Sequence, residues 1–283
     1  MNIPKIVHQT WKTQKMPDPI SKCVASLRQL NPHWEHRFYT DDDWESLITE
    51  CSLVDRESFL RFPTGIQRAD IFRAVALYEK GGVYADVDLV AIRPLDSMIS
   101  AAVESGLIAE DTEMILATDH PVHSRVIYGG GEVLMNNFMI SVPRARFLEL
   151  YLHRMMSSVA GGALSSREPV STTGPVAITQ LIDEYGGVEE LKIAVVPFFW
   201  TNPLPDMALQ FPEWGAFDEI LTDGSWRARF CPYLVHCWWH SYWGEHNMLN
   251  FYDSLLAAAP PNIVKPEGNK ITSSPAGIIS AAG

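Results

Sequence analysis

The triplet Asp86-Val87-Asp88 contains the two side chains whose type and spacing most clearly indicate chemistry in this 283-residue chain. Residues 83–90 form an apolar run that predicts one strand, and alternation along a strand would place both carboxylates on the same face. Paired carboxylates repel unless a positive group lies beside them, and a divalent cation with oxygen ligands is the usual solution. The alternative interpretation is an edge strand whose aspartates face solvent.

A predicted helix over residues 65–80 leads directly into that strand, and Gly81 and Gly82 predict its C-terminal cap. Asp70 and Arg73 share one face of this helix, because residues three apart are neighbours on a helix surface. Arg73 is suited to hold a phosphate or sugar oxygen by a charge-assisted hydrogen bond, and Asp70 is suited to accept sugar hydroxyls. A salt bridge between the two explains the same spacing, and both interpretations remain open.

Residues 233–243 form a third cluster, which is rich in aromatic side chains and contains His236 and His240. One interpretation is a corner of the core in which each indole N–H finds a partner. The other is a wall over a polar ligand, with His236, His240 or Ser241 completing a metal shell. A fourth feature, the run of aspartates at residues 41–43, is interpreted as the N-cap and first turn of a helix rather than as a metal site.

The elements that must position these residues alternate between strands and helices. The alternation predicts an α/β fold with a mainly parallel central sheet flanked by helices. Strands are predicted at residues 3–8, 34–39, 83–90, 114–117, 138–142 and 191–197, and helices at residues 21–30, 65–80, 145–159 and 175–185. We expect a single domain over residues 1–257 and a surface tail rich in Pro, Gly, Ser and Ala over residues 258–283.

The composition narrows the function classes. The chain carries 34 acidic and 22 basic residues, a formal net charge of -12, which argues against nucleic acid and anionic membranes as broad partners. The four cysteines show no CxxC pair and are expected to be reduced thiols. No apolar run approaches the roughly 20 residues that span a bilayer. We expect a cytoplasmic protein or one peripheral to a membrane, and an anchor outside this sequence is compatible with that expectation.

Three blocks resemble one known family. They are Ile-Pro-Lys-Ile-Val-His-Gln-Thr-Trp at residues 3–11, Arg-Ala-Asp-Ile-Phe-Arg at residues 68–73 and Gly-Gly-Val-Tyr-Ala-Asp-Val-Asp at residues 81–88. The chain resembles the glycosyltransferases that contain the DXD sugar-binding motif (family 32-like). These include the initiating mannosyltransferases and the inositol-phosphoceramide mannosyltransferases, and the glucosylating clostridial toxins are more distant relatives. The strong match covers roughly the first hundred residues.

The resemblance implies a GT-A-type (Rossmann-like) fold and a retaining transfer of a hexose. The donor would be a nucleotide-diphosphate sugar, linked to UDP or GDP. The acceptor would be a hydroxyl of a glycan, glycolipid or protein, and the cofactor would be Mn²⁺ or Mg²⁺. The same residues are also compatible with a metal-dependent sugar-nucleotide hydrolase, or with a carbohydrate-binding protein on the same scaffold that catalyses no transfer.

The resemblance also assigns roles to individual residues. Trp11 would stack on the donor base, Asp86 would contact ribose and sugar, and Asp88 would bind the metal directly. Trp238 stands where the toxins carry a further acidic ligand, which leaves the third protein ligand open. The candidate metal ligands are Asp88, Asp86, His236, His240 and Ser241; the candidate substrate-binding residues are Trp11, Arg68, Asp70, Arg73, Asp86, Ser241 and Trp243; the candidate catalytic residues are Asp70, Arg73, Asp86 and Asn137.

Overall fold

The fold is built around a central β-sheet. The structure is a computed structural model, and it describes residues 1–121, 123–124, 131–162, 169–204 and 230–236. Within these ranges the strands are β1 (Ile6–Thr10), β2 (Glu35–Tyr39), β3 (Gly82–Ala85), β4 (Leu89–Ala91), β5 (Met114–Thr118), β6 (Leu134–Ser141), β7 (Ile193–Val196) and β8 (Leu234–His236). Six of them form one sheet in the order β2-β1-β3-β6-β5-β7, and β4 pairs with β8 in a second sheet. Only β6 runs against the other strands of the large sheet. The predicted α/β fold with a mainly parallel sheet is confirmed.

Helices cover both faces of the large sheet. They are α1 (Asp18–Leu30), α2 (Trp44–Glu50), α3 (Arg56–Leu60), α4 (Gly65–Lys80), α5 (Leu95–Glu104), α6 (Arg146–Ala160), α7 (Pro169–Thr172) and α8 (Pro175–Glu184). One apolar core joins α2, α3, α4, α6 and α8 to a face that includes Tyr84 and Met139. The other core joins α1 and α5 to the opposite face, which includes Val83 and Phe138. The side chains of β3 and β6 therefore alternate between two cores, as expected for a sheet buried on both faces.

The first strand is displaced from its predicted position. It was expected at residues 3–8, but β1 begins at Ile6 because the chain turns there, with the Ile6 amide donating to the Pro4 carbonyl at 2.8 Å. From Ile6 the strand pairs in parallel with β2 as far as Thr10. Because β1 ends at Thr10, Trp11 lies at the carboxyl edge of the sheet, where ligands bind in open α/β folds.

Helix α4 has the bounds that the sequence predicts, and its two ends explain why. A capping box joins Thr64 and Gln67 at its start, satisfying amides that the first turn leaves unpaired. At its end, Gly81 and Gly82 have φ values of 64° and 98°, which L side chains rarely adopt. A Cβ on Gly82 would lie 2.4 Å from the carbonyl oxygen of Ile6, so the close approach of β1 and β3 requires glycine there.

The prediction of one strand over residues 83–90 is wrong. Strand β3 ends at Ala85, and the Asp86 amide makes a last bond to the Asn137 carbonyl at 2.8 Å. The chain then turns, with the Leu89 amide donating to the Asp86 carbonyl at 3.2 Å, and β4 continues in the second sheet. Asp86 and Asp88 therefore lie on a turn between two sheets and not on one face of a strand.

The run of aspartates at residues 41–43 does precede a helix, as expected, but it does not supply the expected side-chain capping bond. Helix α2 begins after Asp43, yet the Asp43 side chain makes no bond to the helix. Its carboxylate instead accepts from the amide and the hydroxyl of Thr40, each at 2.7 Å. This local turn fixes the loop that carries Asp41 at the carboxyl end of β2.

Two further findings concern the cysteines and the membrane-spanning potential of the described residues. Cys23 and Cys51 are buried free thiols, in agreement with the expectation of reduced cysteines, and Cys231 is exposed. Cys237, the fourth cysteine, lies outside the described residues. Along the part of the chain that the structure describes, no helix combines the length and apolar character needed to cross a membrane.

Candidate active site

A cleft opens at the carboxyl edge of the large sheet, beside the first turn of α4. Its volume of about 380 Å³ lies within the range of small-molecule sites. It is lined by Thr10, Trp11, Lys12, Asp41, Trp44, Thr64, Gly65, Ile66, Ala69, Arg73, Tyr84, Asp86, Val87 and Asp88. The structure thus brings four of the sequence-derived candidates, Trp11, Arg73, Asp86 and Asp88, to the wall of one cleft.

Arg73 is the buried cation of this cleft. Its guanidinium lies 3.2 Å from Asp70 Oδ1 and 3.4 Å from Asp86 Oδ1, and it donates to the Asn136 carbonyl at 2.5 Å. The Tyr84 ring lies beneath it, 4.6 Å from the guanidinium carbon. Burial disfavours its charged form, but the carboxylates of Asp86 and Asp70 hold the pKa of Arg73 above its ordinary value. Arg73 therefore presents a fixed positive charge to the cleft.

Asp70 lies behind Arg73 and both of its oxygens are engaged. Oδ1 accepts from Asn136 Nδ2 at 2.9 Å in addition to Arg73, and Oδ2 accepts from the Thr173 hydroxyl at 2.7 Å. Burial raises the pKa of Asp70 and the charge of Arg73 opposes the rise. These contacts orient Arg73 from behind.

Asp86 faces Arg73 and is the more exposed of the two motif carboxylates. The Tyr84 hydroxyl donates to its Oδ1 at 2.8 Å, on the side that Arg73 approaches. Burial raises the pKa of Asp86 to about 6, Arg73 opposes this and Asp88 adds to it. Because 28% of the Asp86 side chain stays exposed, water reduces the effect of burial on this pKa. Within the described residues, Oδ2 of Asp86 makes no hydrogen bond, so it is the oxygen that suits a ligand.

Asp88 and His236 meet across the two sheets. His236 Nε2 lies 3.0 Å from Asp88 Oδ2, and both side chains are nearly buried. Burial disfavours the charged imidazole, but the adjacent Asp88 carboxylate raises the pKa of His236 above its ordinary value. The pair exists because β4 and β8 align residues 89 and 236 as direct partners. Of the histidines in the aromatic cluster, His236 is thus brought to the motif.

These residues fit a divalent cation in their chemistry and spacing. Carboxylate oxygens are usual ligands of Mn²⁺ and Mg²⁺, and imidazole nitrogen is a usual ligand of transition metals, so this donor set suits Mn²⁺ better than Mg²⁺. Two ligands about 2.1 Å from one ion and at a right angle to it lie about 3 Å apart, which matches the Asp88–His236 separation of 3.0 Å. Within the described ranges no group of three or more His, Cys, Asp or Glu side chains converges as a complete metal site. His240 and Ser241, the other expected ligands, lie outside the described residues.

Asn137 connects this pair to the interior. Its Nδ2 lies 3.2 Å from His236 Nδ1 and donates to Asn202 Oδ1 at 3.2 Å. The candidate catalytic residue Asn137 is therefore buried directly behind the motif, one side chain away from Asp88.

The remaining candidates lie at or beyond the edge of the site. Trp11 is partly exposed and packs near Val87, so its ring is presented to the cleft. Arg68 is not part of the cleft lining, and its guanidinium donates to the Phe62 carbonyl at 2.7 Å. Trp243 lies outside the described residues.

Several site residues were not identified from the sequence. Tyr84 supports both Arg73 and Asp86, and the only signal for it was its place on the polar side of the strand pattern. Asp41 and Asn202 were also missed as site residues. Each follows the carboxyl end of a different strand or the turn after it, and these strand ends are neighbours in the sheet although they are far apart along the chain.

One known family matches part of the chain. Residues 17–104 match the family described as the glycosyltransferase sugar-binding region containing DXD motif. Arg73, Asp86 and Asp88 lie inside the matched range. The resemblance expected from the sequence is confirmed, and the class that the matches indicate is a glycosyltransferase.

The relatives include fungal mannosyltransferases. Inositol phosphoceramide mannosyltransferase 2 of Schizosaccharomyces pombe is 30% identical over 65% of this chain, which spans 47% of the relative's length. The initiation-specific alpha-1,6-mannosyltransferase of Candida albicans is 32% identical over 34% of this chain and 27% of its own length. Among solved structures, the catalytic domain of alpha-toxin from Clostridium novyi has a TM-score of 0.41 at 8% identity, covering 68% of this chain and 73% of that domain.

Proposed function

We propose that this chain is a metal-dependent, retaining glycosyltransferase of the GT-A type that moves a hexosyl group from a nucleotide-diphosphate sugar to a hydroxyl acceptor. The observation that carries the proposal is the shared cleft of Trp11, Arg73, Asp86 and Asp88 at the carboxyl edge of the sheet. These residue types match the parts of such a donor: an aromatic ring for the base, a cation for the diphosphate, and carboxylates for hydroxyls and a metal.

Fixed positive charge explains how an acidic chain binds an anionic donor. The net charge of -12 disfavours a diphosphate in general. Arg73 offsets this locally, and its orientation is set before the donor arrives by Asp70, Asn136 and Tyr84. A cation oriented in advance stabilises the charge that develops on the departing diphosphate. Asp70 acts in this scheme as the residue that positions Arg73.

Asp88 and His236 would hold the metal, with Asp86 beside them. When bound, a divalent cation supplies Lewis-acid stabilisation of the leaving diphosphate. The chain's own residues do the rest: Trp11 orients the base, Asp86 accepts from ribose and sugar hydroxyls, and Arg73 contacts the diphosphate oxygens. No carboxylate among these is placed as a separate nucleophile, which favours transfer on one face of the sugar without a covalent intermediate.

The similarity to inositol phosphoceramide and initiation-specific mannosyltransferases favours mannose as the transferred hexose. Both UDP- and GDP-linked donors remain to be tested. The single domain over residues 1–257, the tail over residues 258–283 and the cytoplasmic or membrane-peripheral location stay predictions.

The direct test is donor turnover with and without an acceptor. The protein is incubated with Mn²⁺ and UDP-glucose, UDP-galactose or GDP-mannose, in the presence or absence of methyl α-D-mannopyranoside, and the released nucleoside diphosphate is measured. We expect release that increases with acceptor for one donor. Release that ignores acceptor would identify a sugar-nucleotide hydrolase. Binding of methyl mannoside without binding of any donor would identify a non-catalytic carbohydrate-binding protein.

A further inference from the structure

The strand that carries His236 has little backbone pairing of its own. Strand β8 has three residues, Leu234–His236, and pairs with the three residues of β4. A two-stranded sheet of this kind is marginally stable at best by itself. Burial of Leu234 in the core fixes the depth of the strand, but apolar contacts are non-directional and do not fix its position along β4. The 3.0 Å approach of His236 to Asp88 therefore needs another support.

Arg93 provides this support from the end of β4. It lies two residues after β4 and two residues before α5. Its Nε donates to the Pro232 carbonyl at 3.1 Å, and a terminal nitrogen of the same guanidinium donates to the Cys231 carbonyl. The guanidinium carbon lies 3.4 Å from the centre of the Tyr233 ring. One side chain thus contacts the three consecutive residues that lead into β8.

Backbone hydrogen bonds hold the last of these three residues from two sides. The amides of Ile92 and Arg93 both donate to the Tyr233 carbonyl, at 2.8 and 3.2 Å, and the Tyr233 amide donates to the Trp200 carbonyl at 2.9 Å. The rings of Tyr233 and Trp200 also pack together, with their centres 5.0 Å apart. Tyr233 is therefore anchored three residues before His236, beneath the guanidinium of Arg93.

The backbone of Cys231 has a conformation that its residue type does not favour. Its φ is 45°, in the left-handed region that residues other than glycine adopt at a cost. Such conformations persist where the surrounding contacts determine them, and they cluster at functional sites. The hydrogen bond from Arg93 to the Cys231 carbonyl is a contact of this kind. The Arg93 side chain therefore helps to set the direction in which the chain enters β8.

The arrangement uses properties that arginine has and lysine lacks. A planar guanidinium donates from several N–H groups in fixed directions while its face stacks on an aromatic ring. Here the guanidinium bonds two successive carbonyls and covers one tyrosine. Lysine presents a point charge on a flexible stem, so it cannot hold both carbonyls and the ring in one geometry.

We propose that Arg93 positions His236, by holding residues 231–233 so that β8 presents the imidazole to Asp88 at the separation of two metal ligands. The proposal rests on the metal-dependent function proposed above and extends it to a residue that supplies no ligand itself. Arg93 lies inside the residues 17–104 that match the family, whereas His236 lies outside them. Arg93 therefore connects the matched region to a candidate ligand from the unmatched one.

Binding of Mn²⁺ alone tests the proposal without relying on turnover. The full chain is titrated with MnCl₂, and free Mn²⁺ is measured from its electron paramagnetic resonance signal. We expect Arg93→Gln to weaken Mn²⁺ binding about 3- to 10-fold, since it removes the support of a candidate ligand. Loss of a positive charge near the site would by itself strengthen binding of a cation, so weaker binding reports the position of His236 and not the charge of Arg93.

Two further variants isolate the geometry of the guanidinium. Arg93→Lys keeps the charge and is also expected to weaken Mn²⁺ binding, and it provides the same comparison if Arg93→Gln does not fold. The matched control Arg144→Gln removes another arginine that lies over a tyrosine, 5.4 Å from the Tyr78 ring, and whose side chain is 64% exposed. We expect this control to bind Mn²⁺ with wild-type affinity.

A double-mutant cycle with His236→Ala separates positioning from a general effect on stability. Because Arg93 acts through the His236 imidazole in this proposal, Arg93→Gln should weaken Mn²⁺ binding in the wild-type background and have no effect in the His236→Ala background. An equal weakening in both backgrounds would show that Arg93 supports the fold in general, and it would overturn the proposal.

The remaining outcomes distinguish this proposal from the function on which it rests. Weaker Mn²⁺ binding in His236→Ala, with unchanged binding in Arg93→Gln and Arg93→Lys, would overturn the positioning role and leave the proposed metal site intact. Wild-type affinity in His236→Ala would overturn the metal-binding role of His236 and the positioning role with it. A wild-type protein that binds no Mn²⁺ would overturn both the metal-dependent function and this proposal.

Discussion

At the scale of single residues, Arg73 shows how two interpretations of one spacing can hold together. The sequence left open whether Asp70 and Arg73 form a helical salt bridge or face a ligand. The structure contains the salt bridge at 3.2 Å and also places Arg73 in the cleft. What spacing did not indicate is the support from Asn136 and Thr173, since these partners lie 66 and 103 residues from Asp70 along the chain.

His8 illustrates a residue that the sequence marked only as part of a strand. It is fully buried, its Nε2 donates to the Gly81 carbonyl at 2.9 Å, and its Nδ1 accepts from the Tyr39 hydroxyl at 3.1 Å. Burial lowers the pKa of His8 to about 4. The imidazole therefore stays neutral as it joins β1 to the end of α4.

This low pKa gives a pH dependence of stability. Between about pH 6.5 and pH 4 the unfolded chain binds a proton that folded His8 does not, so the free energy of unfolding falls as the pH falls. We expect wild type to lose about 2 kcal/mol more between pH 8 and pH 5 than His8→Gln, which has no group titrating there. Urea denaturation at both pH values measures the difference. Equal losses in the two proteins would show that His8 is not buried as a neutral ring.

At the scale of elements, the sequence predicted the existence of most helices and strands and missed where strands stop. Helix α4 was predicted with its correct bounds because its capping box and terminal glycines are local signals. Strand β3 was extended too far because apolar alternation continues through Val87 and Leu89. The end of β3 is decided by its pairing with β6, and pairing between distant segments leaves no local signal.

The junction of α4 and β3 provides a prediction at this scale. Gly82→Ala would place a Cβ 2.4 Å from the Ile6 carbonyl oxygen at a φ of 98°. We expect a loss of about 3 kcal/mol in the free energy of unfolding, measured by urea denaturation. The matched control is Gly161→Ala, whose nearest neighbour would lie at 3.6 Å and which should change stability by less than about 1 kcal/mol. Similar stability of the two variants would contradict the close approach of β1 and β3.

At the scale of the whole molecule, the candidate site is a property of one edge of the sheet. Trp11, Asp41 and Asn202 follow the carboxyl ends of strands or the turn after them. Strand β6 runs the other way, so that Asn137, near its start, lies at the same edge. The sequence indicated the motif residues because their local pattern is distinctive. The family resemblance also indicated Trp11 and Asn137. The sequence did not indicate Asp41 and Asn202, since the order of strands in the sheet cannot be deduced from any one segment.

The proposed function of the molecule depends on the proposed metal-binding role of Asp88. Of its expected companions, His236 is 3.0 Å away, while His240 and Ser241 lie outside the described residues. If Asp88 and His236 hold a divalent cation that supports donor binding, donor affinity would depend on the cation, and removal of the Asp88 carboxylate charge would remove that dependence.

Calorimetric binding of GDP-mannose and UDP-glucose, with Mn²⁺ or with EDTA, is the measurement that tests the proposed site most directly. We expect wild type and the exposed control Asp111→Asn to bind one of these donors at least about 10-fold more tightly with Mn²⁺. We expect Asp88→Asn to bind that donor equally weakly in both conditions. An Asp88→Asn protein that keeps the full Mn²⁺-dependent affinity would contradict the assignment of this cleft as a metal-assisted sugar-nucleotide site.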